Sequence, residues 1–140
     1  MRIGFPSPVQ GLRSAGPVQA RAAVVGLQVR SGMSLENFRT YQCALEFYRA
    51  CDQLRVPVYL KEQLIRASSS IALNLSEGSA KPTFRDRRKF YFVALGSLRE
   101  CQAILDLVAT PKEEKICTLS DSLGAQLFKL CKSQTAKNNP

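Results

Sequence analysis

The 140-residue sequence contains no histidine, and that absence removes much familiar catalytic chemistry. A serine or cysteine nucleophile has no imidazole to take its proton, and an HExxH zinc site cannot be built. Neither a P-loop nor a GxGxxG turn occurs, so phosphate-cradling loops of those kinds are excluded. The five cysteines, Cys43, Cys51, Cys101, Cys117 and Cys131, are odd in number and nowhere spaced CxxC. A disulfide framework is therefore not expected, and a reducing cytoplasm is the expected compartment. Each thiol lies within a helical pattern and reads as a small buried apolar side chain. A zinc site would have to draw cysteines and carboxylates from separate helices, so neither metal nor cofactor is expected. Carboxylate-bound magnesium in a nuclease is disfavoured too, because Asp86 reads as a helix cap and Glu77 lies beside a helix end.

Acidic residues are missing from residues 1–33, which carry Arg2, Arg13, Arg21 and Arg30 together with Pro6, Pro8 and Pro17. No helical or strand period runs through this stretch, and its apolar run, Ala22 to Leu27, is too short and too late for a signal-peptide core. It is also far below the roughly 20 residues of a membrane helix, so no membrane partner is expected. Residues 1–33 are set apart as a basic N-terminal extension outside the fold. They read as a basic arm, a transit-like leader or an over-long reading frame, since Met33-Ser34 would serve as a start. The formal charge of the whole chain is +9, and the remainder stays net basic. That balance favours an acidic partner, nucleic acid or anionic lipid.

What the chain does have is helical periodicity. A first helix is expected from Leu35 to Leu54, capped by Ser34, with Phe38, Tyr41, Leu45 and Tyr48 as its apolar stripe, widened by Ala44 and Cys51. Arg55-Val56-Pro57 stops it, because a residue before proline avoids the α region. A second, Tyr59 to Glu77, carries Leu60, Leu64, Ala67, Ile71 and Leu75, and Gly78 stands where a left-handed C-terminal cap is expected. A third opens after Pro82 with Thr83 as cap and Asp86 closing a capping box, and runs to about Val108. The fourth has Thr110 as cap, Pro111 at the first helical position and Glu113 in the box. Its stripe is Ile116, Leu119, Leu123, Leu127 and Leu130. Helices of this length joined by short connections predict an all-α, antiparallel up-down-up-down four-helix bundle over residues 34–132, with 133–140 a frayed polar tail.

Two surfaces stand out. Gln63, Arg66, Ser70, Asn74 and Glu77 follow one another at steps of three and four, so they lie along one side of the second helix. They read either as a hydrogen-bonded network between helices or subunits, with Arg66 paired to Glu77 or Glu100, or as a row facing a phosphate or partner. The structural reading is favoured, since a polar row beside an apolar stripe suits registry. On the third helix Arg85, Arg88, Lys89 and Arg99 share a face with Phe92 and Gly96, opposite Tyr91, Ala94, Leu95, Leu98, Cys101 and Leu105. Cations around an aromatic suit a nucleic-acid backbone and a stacked base. Phe92 cannot join the core that holds Tyr91, so it is assigned to a subunit interface.

Three groups of residues carry a resemblance: Gln63-x-x-Arg66-Ala67, then Ser70-Ile71-x-x-Asn74-x-x-Glu77-Gly78, then Phe90-x-x-x-Ala94-x-Gly96-Ser97-x-x-Glu100. Together they resemble the 23S rRNA intervening-sequence proteins, to which the accessory proteins of diversity-generating retroelements are similar. The likeness covers roughly Phe38 to Leu107. It implies a four-helix bundle assembled as a ring-like homopentamer with no known catalytic activity. For the retroelement members it also implies a reverse-transcriptase partner and a nucleic-acid-binding surface. The expected function is accordingly that of a non-enzymatic, oligomeric protein binding RNA or a nucleoprotein. The alternative is a structural adaptor whose client is a protein such as a reverse transcriptase. Deleting residues 1–32 is expected to leave the melting temperature almost unchanged. A drop of several degrees would show that the segment packs on the core.

Overall fold

The structure, a computed structural model, describes residues 34–108, 111 and 113–136. The N-terminal extension, the Thr110 cap and the last four residues lie outside these. Among the described residues there are four α-helices and no strand: α1 Arg39–Gln53, α2 Val58–Ser79, α3 Phe84–Leu107 and α4 Glu114–Ala136.

The expected start of the first helix is split. Ser34 does cap, its hydroxyl accepting from the Glu36 amide, but what it caps is a 3-10 turn, Leu35–Asn37. Phe38 then takes an extended conformation before α1 begins. Its ring is buried and meets Tyr91 of α3 at 6.3 Å between centroids, so the chain gives up one helical turn where it anchors an aromatic in the core. The buried face of α1 is Thr40, Ala44, Phe47 and Cys51. Of the expected stripe, Phe38, Ala44 and Cys51 are buried, whereas Tyr41, Leu45 and Tyr48 are only half-buried. Tyrosine brings a hydroxyl that favours the rim, whereas Phe47 brings none and is fully buried.

The turn into α2 is held by one side chain. The Lys61 ammonium donates to the carbonyls of Cys51 at 3.1 Å and Leu54 at 2.7 Å, and also to that of Asp52. The Cys51 carbonyl also accepts from the Leu54 amide, the others are acceptors of the kind a helix end leaves open, and a cation there also suits the helix dipole. The stripe of α2 is as expected: Leu60, Leu64, Ala67, Ile71 and Leu75 are all buried.

Gly78 is not a left-handed cap. It lies inside α2, which continues to Ser79, and no described glycine has a positive φ. Its role is steric. A Cβ at this position would stand 2.8 Å from Cε1 of Tyr91 and 2.9 Å from Cβ of Phe90. Glycine is what allows α3 to pass so close. The turn that follows is closed by Arg87, whose Nε donates to the Lys81 carbonyl at 2.6 Å. Thr83 caps α3 as expected, accepting from the Asp86 amide at 3.1 Å while its hydroxyl donates to the Asp86 carboxylate at 2.7 Å.

Helix α4 starts later than its sequence signals indicate. The Glu113 carbonyl accepts from the amides of Ile116 and Cys117, which makes Glu113 the residue at the cap and leaves Pro111 outside the helix. The helix also runs on to Ala136, past the boundary expected at 132. Ile116, Leu123 and Leu127 are buried with Cys131, while Leu119 and Leu130 pack on the core from its margin. Burial raises the Cys51 thiol to about 12 and the Cys101 and Cys131 thiols above their ordinary value. These three are therefore inert at neutral pH.

Two glycines test this packing in opposite directions. Gly78→Ala is expected to destabilise by about 1–3 kcal/mol, because the new methyl forces Tyr91 or the α3 backbone to move. Gly96→Ala, whose Cβ would meet nothing within 4 Å, is expected to stabilise by about 0.5–1 kcal/mol through helix propensity. Denaturant unfolding of both variants checks the pair. An unchanged Gly78→Ala midpoint would mean that the close approach imposes no constraint.

Candidate nucleic-acid interface

The four cations read from the sequence do not make one patch. Arg85 and Lys89 are exposed on the first turns of α3. Arg99 lies about 21 Å further along the axis, at 1.5 Å per residue. There its guanidinium donates to Gln102 at 3.2 Å, and Gln102 in turn donates to Ser120 of α4 at 2.9 Å. Arg99 belongs to the groove between α3 and α4, away from the row it was grouped with. Asp86 also offsets more of the charge than its position as a cap implied, since its carboxylate is 3.5 Å from the Lys89 ammonium. The Thr83 hydroxyl first, then Lys89 and Arg85 beside it, hold that carboxyl below the usual range.

Arg88 is not opposite the core. It is half-buried, and its Nε is buried with no hydrogen-bond partner. The guanidinium sits 5.1 Å above the Phe92 ring and close enough to α4 for its charge to favour the Cys131 thiolate. Phe92 itself is 46% exposed. A matching pair stands on α4, where the Lys132 ammonium lies 5.0 Å over the exposed ring of Phe128.

The packing brings together cations that the sequence keeps far apart. Arg88 reaches toward Cys131, near the end of α4. The start of α1 meets the same region, since Arg39 and Thr40 line one cavity with Lys129 and Leu130, and Phe38 touches Tyr91. Arg39, Lys129 and Lys132 thus join Arg85, Arg88 and Lys89 at one end of the helices. The other end holds the Gln102–Ser120 contact, and there the carboxylates Glu62, Asp106, Glu113 and Glu114 stand on the helix ends that meet. Arg55, Lys61 and Lys115 stand at that second end as well, so its charge is mixed, whereas the first end is net basic. The only sequence signal for it was the placing of basic residues late in α4 and early in α1 and α3.

The polar stripe of α2 divides. Ser70 meets Ser97 of α3 at 3.0 Å between hydroxyl oxygens, and the Asn74 amide donates to the Ser70 carbonyl at 2.8 Å and hydroxyl at 3.0 Å. Ser70 thus joins α2 to α3, and Asn74 bonds back to Ser70 within α2. Gln63, Arg66 and Glu77 are exposed. Glu77 is 3.9 Å from Lys81, and Arg66 pairs with neither Glu77 nor Glu100. No ion pair among the described residues uses Arg66. Among the described residues no cluster of three or more cysteines or carboxylates could hold a metal ion. No described helix is long and apolar enough to cross a membrane.

Comparison with known proteins adds one result. A family model described as 23S rRNA-intervening sequence protein matches residues 36–133, a span that takes in α1, α2 and α3 whole and most of α4. No curated protein and no solved structure matches.

Proposed function

The chain belongs to the 23S rRNA-intervening sequence protein family, and from that membership and its cationic end we propose a non-enzymatic, oligomeric protein that binds RNA by its phosphates. The observation that carries this reading is the gathering of Arg85, Arg88, Lys129 and Lys132 from two helices, with Arg39 from a third, beside the exposed rings of Phe92 and Phe128. Cations spread over several elements match a charged strand better than a single ligand, and exposed rings give bases a surface on which to stack. Such contacts position a nucleic acid without reading its sequence. The binding is therefore salt-dependent and tolerant of sequence.

Arg88 is a poor test residue, because reversing it would place a carboxylate beside buried atoms. Arg85 and Lys132 are exposed. Replacing both with Glu is expected to weaken binding to a structured RNA roughly tenfold or more and to flatten the salt slope. Filter binding at rising salt reads this, with circular dichroism as the folding control. Equal binding by a folded variant at every salt concentration would reduce the cationic end to solvated charge and favour an adaptor with a protein client.

Self-association is proposed on a different surface. Tyr59, Arg66 and Leu73 recur at steps of seven on α2, and Val93, Glu100 and Leu107 do so on α3. The four apolar members are all more than half exposed, and Arg66 and Glu100 are exposed as well. Ser70 meets Ser97 while Gly78 meets Tyr91, a pairing that supports α2 and α3 running in opposite directions, as an up-down-up-down bundle requires. In that arrangement the two sets of three lie side by side as one seam, with opposite charges between apolar ends. A second copy would cover the apolar area and pair Arg66 with Glu100 between subunits. Phe92 is less exposed and has Arg88 over its ring, so the seam carries this proposal in its place. A ring of five rests on the family resemblance. Sedimentation velocity should show an oligomer at micromolar concentration that Leu73→Glu with Val93→Glu converts to monomer. A stable wild-type monomer would end the idea.

A further inference from the structure

Between the start of α1 and the end of α4 lies a cavity of about 540 Å³, lined by Arg39, Thr40, Ser122, Gln126, Lys129 and Ser133 with an apolar margin. Among the described residues no carboxylate lines it, and neither Arg39 nor Lys129 is ion-paired. Thr40 is the unusual member. Three polar side chains are buried among the described residues, Thr40, Ser68 and Ser120. Ser68 donates to the Ile65 carbonyl and Ser120 accepts from Gln102. Thr40, only 6% exposed, borders the cavity and its side chain makes no hydrogen bond among the described residues. Its hydroxyl oxygen keeps access to the cavity, since Arg88 Nε is the one buried side-chain polar atom without a partner among the described residues, and it is therefore a donor open to whatever occupies the cavity.

The backbone agrees. Phe38 stands at the N-cap of α1 and offers no side-chain acceptor. The Gln42 amide turns back to the Phe38 carbonyl at 3.0 Å, so the amides before it remain open to an external acceptor. Two unpaired cations, a free hydroxyl and open amides, with no acid among them, form a donor set for a doubly charged oxyanion. The volume leaves room for an organic group on that anion.

We propose that this cavity binds a phosphate monoester, with Arg39 and Lys129 taking its charge and Thr40 donating to a phosphate oxygen. Arg39 and Lys129 also belong to the cationic end proposed for RNA, and the inference rests on that reading for them; it adds Thr40 and the open α1 amides, which an extended phosphate surface does not require. Two sources share the chemistry: a free nucleotide and the phosphorylated end of an RNA strand.

The test follows backbone amides by ¹⁵N NMR on the full chain at constant ionic strength, titrating a nucleoside 5′-monophosphate and, separately, the unphosphorylated nucleoside. The monophosphate should shift the Thr40 and Arg39 amides saturably, and the nucleoside should not. Thr40→Val, which keeps the volume, and Lys129→Met should each weaken the monophosphate roughly tenfold, the loss of one charge-assisted hydrogen bond. The Arg85→Glu, Lys132→Glu variant should retain it, which separates this site from the part of the RNA surface that Arg85 and Lys132 form. A 5′-phosphorylated oligoribonucleotide competing better than its 5′-hydroxyl twin would support an RNA end as the source. Equal competition, with the monophosphate still bound, would support the free nucleotide. The proposal is overturned if the monophosphate produces no saturable shift at Thr40, or if both single variants bind it as wild type does.

Discussion

The close passage of α2 and α3 governs much else in this fold. At Gly78 the two backbones come near enough that a single methyl would collide with Phe90 and Tyr91. Further along, the helices are held by the Ser70–Ser97 contact, with Asn74 bonded to Ser70. Hydroxyls suit that position because they are small and each can give or accept a proton, so the contact tolerates tight packing and still satisfies its polar atoms. The short turn follows from this proximity. Arg87 closes it on Lys81, and Thr83 can cap α3 at once. The first residues of α3 are thereby fixed against the rest of the fold, and they are the residues that carry its charge.

The placement of charge follows from packing in the same way. Each helix has an ordinary mixture of acids and bases. Only when the late residues of α4 are set beside the early residues of α1 and α3 does one end become cationic. Some of these charges serve the fold as well. Arg88 covers Phe92, Lys132 covers Phe128, and Lys81 lies 5.0 Å over Phe90. A cation over an aromatic face hides part of the ring and keeps its own head in water. These aromatic faces are thus shielded by charges of the chain itself.

Much of the fold was legible from spacing. The α2 stripe from Leu60 to Leu75 is read correctly because apolar side chains at steps of three and four leave little freedom of assignment. The Thr83–Asp86 cap is read correctly because its chemistry is local. Errors arose where a remote neighbour decides the outcome. Gly78 has the position of a cap, and only Tyr91 reveals it as a spacer. Phe38 looks like a helical residue until its contact with Tyr91 is known. The candidate site was less legible still. A helical wheel gives the angle at which Arg88 leaves its helix but not the path of a long side chain, which here turns back toward α4. Arg39, Lys129 and Lys132 were passed over because their shared neighbourhood depends on which helix ends meet. Thr40 was passed over because a lone threonine at the start of a helix is unremarkable until it is found lining a cavity with no hydrogen bond among the described residues.

The distribution of buried thiols makes the fold able to time its own motions. Cys51, Cys101 and Cys131 are buried on α1, α3 and α4, and α2 has no cysteine. A thiol reagent reaches each only when the surrounding packing opens, so its labelling rate at a given site reports how often that part of the fold comes apart. Three helices can be followed separately in one native chain, without an introduced probe. The half-buried Cys43 and Cys117 supply a nearby reference for reagent access.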